Sequence, residues 1–216
     1  GPLASFFAFI QPFPVHNCPV FDYLIIGGGI AGISAAARLS EHGGTLVLEA
    51  EANLAYHSSG RSAALYEQNY GSPSTVALAK AARADFDGML SGVLSPRGFL
   101  LVCLQGEEAQ FEYDLEHMHL SEVAVADAAK LVPILDSSSV IRTASSATAR
   151  DIDTDMMLQI FARRIRTNGG TVETNQQVTA IDKMKQGWCV TTGSGQYEAQ
   201  KIVNAAGAWG DEIAQL

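Results

Sequence analysis

Three glycines stand at a spacing that suits the binding of a phosphate. Gly27, Gly29 and Gly32 form the pattern G-x-G-x-x-G, directly after the apolar run Tyr23–Ile26 and directly before a run of small and apolar residues. The first glycine allows a tight turn, the second lets the backbone approach a pyrophosphate, and the third permits close packing of a helix on a strand. The N-terminus of such a helix favours anions. The pattern therefore predicts a dinucleotide site.

An acidic residue follows at the distance that such a site requires. Glu49 lies 20 residues after Gly29, at the end of the next predicted strand, where a carboxylate can accept hydrogen bonds from ribose hydroxyls. An acid at this position disfavours a 2′-phosphate, which leaves FAD and NAD. Taken alone, the glycines are equally typical of a glycine-rich turn without a ligand. The strand before them, the helix after them and the acid together argue against that alternative.

A β-α-β unit must position these residues. Hydrophobic spacing predicts strands at Tyr23–Ile26 and Thr45–Leu48 with a helix at Ile30–His42 between them. Asp153 or Thr154 is expected to cap a later helix. Further helices are predicted at Ser72–Leu90, Ser121–Leu131 and Asp155–Thr167. Further strands are predicted at Phe99–Leu104, Val140–Ala147, Thr171–Thr174, Val178–Lys183, Gly187–Thr192 and Lys201–Ala205.

The composition and net charge of the chain limit which kinds of protein and ligand are expected. The 216 residues are 47% hydrophobic and 17% charged, a balance typical of a folded globular protein. The net charge of -9 argues against a nucleic-acid partner and leaves a small molecule as the better ligand. Cys18, Cys103 and Cys189 form no CxxC pair, which favours reduced thiols in a cytoplasmic protein and no metal. The acids at Asp151–Asp155 do not continue into a calcium loop.

The first twenty residues are set apart from the fold. Gly1 and Pro2 are typical of the remnant of a cleaved tag, so we interpret residues 1–20 as an N-terminal or vector-derived extension. The apolar stretch Leu3–Val15 is interrupted by two prolines and is too short to span a bilayer. It also lacks a basic region before it, so a signal peptide is not expected.

From Asp22 onward the chain resembles the superfamily of FAD-dependent D-amino acid dehydrogenases and oxidases (DAO), which includes glycine and sarcosine oxidases. Three motifs besides the glycines carry the resemblance, and together they are most similar to the bacterial D-arginine dehydrogenase branch. They are AYHSSGRSAALYEQNYG at Ala55–Gly71, DIDTDMMLQIF at Asp151–Phe161 and KIVNAAGAWGDEIA at Lys201–Ala214. An NAD-only protein has no reason to carry HSSGRSAA and NAAGAW here. The resemblance therefore implies FAD.

The resemblance also implies which residues contact FAD. Val178 matches a residue that meets the adenine through its backbone. Ser62 stands where relatives with covalent flavin have a histidine, which implies non-covalent FAD. The full set of implied FAD contacts is Gly27, Gly29, Ile30, Ala31, Gly32, Glu49, Ala50, Ser58, Ser59, Gly60, Arg61, Ser62, Ala63, Ala64, Val178, Ala205, Ala206, Gly207 and Trp209.

The chemistry of the family is oxidation of an amine. The flavin accepts a hydride from the α-carbon of the substrate, and water hydrolyses the resulting imine. The implied activity is that of an FAD-dependent D-amino acid dehydrogenase or oxidase acting on a CH–NH bond, with oxygen and a quinone both open as the electron acceptor. The resemblance places the carboxylate-binding arginine beyond Leu216, in a C-terminal portion that this chain lacks. It also implies that His57 need not act as a general base.

Three residues match substrate-pocket positions of the D-arginine dehydrogenases. Tyr70 matches a pocket tyrosine, Leu65 replaces a histidine, and Phe99 replaces a glutamate that receives the guanidinium group. Both replacements make the pocket more apolar, and a cation buried there without a carboxylate would be unfavourable. The expected substrate is therefore an apolar or neutral D-amino acid, or a secondary amine, rather than D-arginine.

The expected fold is α/β, with a doubly wound Rossmann-like FAD-binding domain that has helices on both faces of a parallel sheet. Residues 21–91 and 148–216 would form this domain, and residues 92–147 an inserted, incomplete β-rich substrate domain. Its edges could pair with another copy in a homodimer or with a complementing C-terminal half. Two other functions stay open. They are a truncated, non-catalytic FAD-binding module that needs the missing half, and an NAD-dependent dehydrogenase.

Overall fold

The computed structural model describes residues 20–216. The strands are β1 Val20–Ile26, β2 Thr45–Leu48, β3 Leu65–Tyr66, β4 Leu94–Pro96, β5 Phe99–Leu104, β6 Ser121–Val123, β7 Val140–Ser146, β8 Arg150–Ile152, β9 Thr171–Glu173, β10 Val178–Lys183, β11 Trp188–Thr192 and β12 Gly195–Asn204. The helices are α1 Ile30–Leu39, α2 Pro73–Ala81, α3 Arg83–Asp87, α4 Glu108–His117, α5 Val125–Leu131, α6 Thr154–Thr167 and α7 Gly210–Ala214. Short 3-10 turns lie at Ser58–Arg61 and Gly207–Trp209.

The main sheet has six strands in the order β10-β11-β12-β1-β2-β9. Strands β12, β1, β2 and β9 run parallel, while β10, β11 and the first half of β12 form an antiparallel meander. Ile26 at the end of β1 pairs with Leu48 on one side and with Asn204 on the other. The carboxyl ends of three neighbouring strands therefore meet at one edge, and the predicted α/β fold with a parallel sheet is confirmed.

Different elements cover the two faces of this sheet. On one face, Ile25 and Val47 pack against α1 and α6. On the other face, Leu24 and Leu46 pack against Val178, Val190 and further residues of the meander. On this second face the only helical residue of the cluster among the described residues is Ile213 of α7, so the meander supplies most of the cover there. The meander is joined to the parallel strands by the long strand β12, whose first half pairs with β11 and whose second half pairs with β1.

Two three-stranded sheets complete the described residues. One has the order β3-β8-β4, in which β3 and β8 flank residues 92–147 in the chain and β4 lies at the start of that range. The other has the order β5-β7-β6, and its buried side packs around Cys103, Phe111 and Ala144 with helix α4. Residues 92–147 thus hold a small sheet of their own. Their assignment to a substrate domain stays a prediction.

Two predicted helices are shorter than expected. The segment predicted as one helix at Ser121–Leu131 is strand β6 followed by α5, with the extended residue Ala124 between them. The pairing of β6 with β7 overrides the helical pattern because it supplies backbone partners that the sequence does not reveal. The helix capped by Ser72 ends at Ala81, and the separate short helix α3 follows it. Helix α4 was missed because Phe111 is its one buried residue.

The helix α6 begins as expected, since Asp153 caps it by accepting a hydrogen bond from the backbone of Met156 at 2.8 Å.

The described cysteines Cys103 and Cys189 are thiols, and burial raises the pKa of the Cys103 thiol. Across residues 20–216, no helix is long and apolar enough to cross a membrane. The predictions about residues 1–19, including Cys18, lie outside the described residues. The cytoplasmic location stays a prediction.

Candidate functional site

The glycine turn between β1 and α1 has no room for side chains. Gly27 has a φ of 112°, and a Cβ placed on it would lie 2.4 Å from the carbonyl oxygen of Ala205. A Cβ on Gly32 would lie 1.9 Å from the carbonyl oxygen of Gly27. These contacts bring the turn, the helix and the end of β12 together. The two glycines thus have the turn and packing roles that the motif predicts.

The N-terminus of α1 is open toward an anion. Its N-cap is Gly29, which has no side chain to cap the helix, and its first turn holds no acidic residue. The backbone N–H of Ile30 donates to Ser59 Oγ at 3.0 Å, which draws the loop after β2 against the start of the helix. An N-terminus whose N-cap residue has no side chain is suited to phosphate oxygens, because its remaining N–H groups and the helix dipole favour negative charge.

The carboxylate of Glu49 is buried at the end of β2, with 9% of the residue exposed. One oxygen accepts a hydrogen bond from the backbone N–H of Gly28 at 2.5 Å, and the other accepts from that of Glu51 at 2.8 Å. The carbonyl of Glu49 accepts from the backbone N–H of Gln176 at 2.8 Å, which ties β2 to the segment before Val178. Backbone donors therefore fix the orientation of this acid before any ligand arrives.

A cavity of about 650 Å³ opens at the carboxyl ends of β1, β2 and β12. Four stretches of the chain line it: the glycine turn, the end of β2 with the loop after it, the start of β10 with the residues before it, and the residues after β12 through α7 to Leu216. Its lining includes the predicted residues Gly27, Gly29, Glu49, Ala50, Ser58, Ser59, Val178, Ala205, Ala206, Gly207 and Trp209. The fold thus brings most of the predicted cofactor residues to one place.

A second cavity of about 340 Å³ lies next to the first and shares Ser58 and Ser59 with it. Ile30, Ser62, Ala64 and Leu65 line this second cavity together with apolar residues of β8 and α6. Of the other predicted contacts, Ala31 and Gly32 lie in the first turn of α1, and Gly60, Arg61 and Ala63 lie in the loop after β2 without lining either cavity.

The loop at Ser62–Ala64, which borders the second cavity, has a fixed backbone. Ala64 has a φ of 53°, an uncommon value for a residue with a side chain. Its N–H donates to Ser62 Oγ at 3.0 Å, and its carbonyl accepts from the N–H of Ile152 at 2.8 Å. Arg97 donates to the carbonyl of Ala63 at 2.7 Å. Three hydrogen bonds therefore hold the segment that is predicted to border the flavin.

Two of the predicted substrate residues lie outside both cavities. Tyr70 is 61% exposed on the loop before α2. Phe99 begins β5 and packs against the core of the inserted region. Of the three, only Leu65 borders a cavity. The assignment of Tyr70 and Phe99 to a substrate pocket stays a prediction.

Sequence reasoning missed several residues of the larger cavity. Glu51, Tyr56, His57 and Glu212 all line it. His57 belongs to a quoted motif, but its contact with Trp209 joins residues that are far apart in the sequence, and no spacing rule gives that pairing. Within the described part of the chain, no group of three or more His, Cys, Asp or Glu side chains is arranged to hold a metal.

The residues present fit FAD. A glycine turn that a Cβ would fill, an uncapped helix N-terminus and a buried carboxylate are the parts that a pyrophosphate and a ribose require. The two adjoining cavities share Ser58 and Ser59, next to the glycine turn.

Comparison with known proteins agrees with this reading. The family model described as "DAO: FAD dependent oxidoreductase" matches residues 22–216. Mitochondrial dimethylglycine dehydrogenase of Mus musculus is 25% identical over 212 residues, which is 90% of this chain and 24% of that protein. The human protein is 24% identical with the same coverage. The chain thus spans about a quarter of the length of these curated relatives.

Solved structures share the fold. Glycine oxidase from Geobacillus kaustophilus superposes with a TM-score of 0.79 at 18% identity, covering 91% of this chain and 58% of that one. L-proline dehydrogenase from P. horikoshii gives a TM-score of 0.78 at 22% identity, covering 92% and 56%. L-α-glycerophosphate oxidase from Mycoplasma pneumoniae, solved with FAD bound, gives 0.81 at 20% identity, covering 91% and 56%. The prediction of FAD as the cofactor is confirmed.

Proposed function

This chain belongs to the DAO family of FAD-dependent oxidoreductases, and from that premise we propose that it oxidises the CH–NH bond of an amino acid or related amine. The observation that carries the proposal is the convergence of the glycine turn, Glu49 and the residues after β12 on one cavity. Glycine oxidase, L-proline dehydrogenase and dimethylglycine dehydrogenase are all named for amine substrates, which supports this class.

Each part of the site has a role in holding the cofactor. The uncapped N-terminus of α1 would take the pyrophosphate, and Ser58 and Ser59 border that position. Glu49 would accept hydrogen bonds from the ribose, and the backbone at Val178 would meet the adenine. When bound, FAD supplies the acceptor for the hydride that leaves the α-carbon of the substrate. The loop at Ser62–Ala64, which carries no histidine, would border a non-covalent flavin.

The proposed substrate is an apolar or neutral D-amino acid, or a secondary amine. Support comes from Leu65, which borders a cavity whose other walls include Ile152, Met157 and Leu158. A cationic side chain would gain no carboxylate partner among these residues, so its desolvation would be uncompensated. On this basis D-arginine is a poor substrate, although the quoted motifs are most similar to its dehydrogenase.

Anaerobic spectroscopy of the purified chain tests this proposal. We expect bound FAD with visible flavin absorbance, and bleaching of that absorbance by D-leucine or D-phenylalanine faster than by D-arginine or by the L-enantiomers. Sarcosine tests the secondary amines in the same assay. Bound flavin that no amine reduces would contradict amine oxidation, and faster bleaching by D-arginine would contradict the apolar substrate. A chain that binds no FAD would contradict the whole proposal.

A further inference from the structure

His57 lies where two segments that border the larger cavity meet. Its Nε2 is 2.8 Å from Glu51 Oε1, and its ring centroid is 4.5 Å from that of Trp209. On its other side, the ring meets Tyr56 edge-on with centroids 5.0 Å apart. The guanidinium of Arg61 lies over the Tyr56 ring at 5.2 Å. A continuous series of ring contacts therefore runs from the loop after β2 to the turn after β12.

Glu51 links these ring contacts to the proposed ribose site. Its backbone N–H donates to Glu49 at 2.8 Å, and the other Glu49 oxygen accepts from Gly28 at 2.5 Å. The carbonyl of Glu51 accepts from the N–H of Asn175 at 2.9 Å. The side chain of Glu51 is thus held by a backbone that is itself anchored, so it offers His57 a fixed acceptor.

The two segments are also anchored close to the sheet. The N–H of Ala55 donates to Gly28 at 3.1 Å, and the N–H of Ala205 donates to Ile26 at 2.9 Å. These bonds hold the bases of the two segments. The tips, Ser58–Arg61 and Gly207–Trp209, are positioned by other contacts. Trp209 is 43% exposed, so its packing against His57 removes part of an otherwise exposed aromatic surface from water.

We propose that His57 is a positioning residue that bridges Glu51 and Trp209 and thereby holds the two segments in place around the cofactor cavity. The inference rests on the proposed FAD site. When the two segments are already in place, the conformational cost of binding FAD is lower, so the bridge strengthens the binding of FAD.

Trp209 provides a direct readout of this bridge. The sequence has two tryptophans, so a Trp188→Phe background leaves Trp209 as the only one. In that background we expect His57→Ala to shift the Trp209 emission to longer wavelength and to increase its quenching by acrylamide, before any FAD is added. The dissociation constant for FAD should rise about tenfold, since an aromatic contact and a hydrogen bond are both lost.

Conservative variants separate the two halves of the bridge. His57→Phe keeps the ring against Trp209 and should retain the emission spectrum, with a smaller loss of FAD affinity. Glu51→Gln should weaken FAD binding in the parent but not in the His57→Ala variant, because the contact is then already absent. The matched control is His42→Ala, an exposed histidine just after α1, which should change neither readout.

The outcomes distinguish this inference from the proposed function. If the parent binds FAD and His57→Ala binds it equally well, the positioning role is wrong while the FAD site stands. If the parent binds no FAD, the proposed function fails. The emission of Trp209 then still tests the bridge, and an unchanged spectrum in His57→Ala would overturn it. Circular dichroism identifies any variant that fails to fold. If His57→Ala does not fold, the FAD affinity of His57→Phe is used in its place.

Discussion

The main sheet and the inserted region bury their strands to different degrees. All four residues of β2 are at most 1% exposed, because helices cover one face of the main sheet and the meander covers the other. In β5 of the inserted region, Val102 and Leu104 are 39% and 41% exposed. Parallel strands covered on both faces tolerate little change in shape, whereas a three-stranded sheet with an exposed side tolerates more.

The two regions also hold their charges differently. Glu49 in the main sheet is buried and accepts hydrogen bonds from backbone N–H groups. Arg142 in the inserted region pairs at the surface with Glu112 and Glu122, which raises the pKa of Arg142. Backbone donors fix a carboxylate in one orientation, while surface ion pairs contribute little to stability. The comparison predicts that substitutions at the buried contacts of the first region, such as those of Gly32 and Glu49, affect folding and cofactor binding more than substitutions in the second region do.

The largest expected effect is that of Gly32→Ala. The new Cβ would lie 1.9 Å from the carbonyl oxygen of Gly27, so backbone atoms must move. We expect the free energy of unfolding to fall by about 3 kcal/mol, together with loss of FAD binding. Chemical denaturation followed by circular dichroism measures the first effect, and titration with FAD measures the second.

Two other glycines calibrate this result. Gly106 in the inserted region has a φ of 93° but open space around its Cβ position, so Gly106→Ala should lose about 1 to 2 kcal/mol through backbone strain alone. Gly193 in the main sheet's hairpin has open space and no positive φ, and Gly193→Ala should stay within about 0.5 kcal/mol of the parent. Equal losses for Gly32→Ala and Gly106→Ala would remove the contrast between the regions.

The next effect concerns Glu49→Gln. The amide keeps the size of the side chain but loses the negative charge that accepts bonds from two backbone N–H groups and is proposed to bind the ribose. We expect FAD affinity to fall by about 10- to 100-fold, because hydrogen bonds to charged groups are the stronger ones. Equilibrium titration with FAD measures this change. Glu122→Gln in the inserted region is the matched control, and an equal loss there would point to a general charge effect.

The sequence predicted the main sheet better than the inserted region for a physical reason. At Gly27 and Gly32, the residue type itself indicates a close contact, because only a residue without a Cβ fits there. The apolar spacing of α6 likewise reports a helix with one buried face. In the inserted region, β6 exists because β7 lies beside it, and a pairing between segments about 20 residues apart leaves no local pattern.

The site shows the same limit. The motifs indicated Gly27, Glu49, Ser59 and Ala205, which all lie near strand ends or in the loops that follow them, where the fold class alone predicts a ligand. The contact of His57 with Trp209 depends on how two loops approach each other, and neither motif contains that information. The same holds for Arg97, which donates to the Ala63 carbonyl from the turn between β4 and β5.

The smallest effect is expected for Asp136→Asn in the inserted region. The side chains of Ser138 and Ser139 donate hydrogen bonds to Asp136, which lowers the pKa of its carboxyl to about 2. The unfolded chain has a value of about 3.9, so the folded form binds fewer protons between these two values. Its contribution to stability is therefore fully present above about pH 4 and is lost as the pH falls toward about 2.

Asp136→Asn should consequently lower the urea midpoint slightly near neutral pH, and the difference from the parent should disappear on acidification through that window. Urea unfolding at a series of pH values gives the difference, and Ser139→Ala serves as the matched variant because it removes one donor and should narrow the window. A difference that persists at about pH 2 would assign the effect to the shape of the loop and not to its charge. FAD binding should stay unchanged in both variants, because this loop lines neither cavity. A loss of FAD affinity would mean that the inserted region supports the cofactor site more closely than the contrast between the two regions allows.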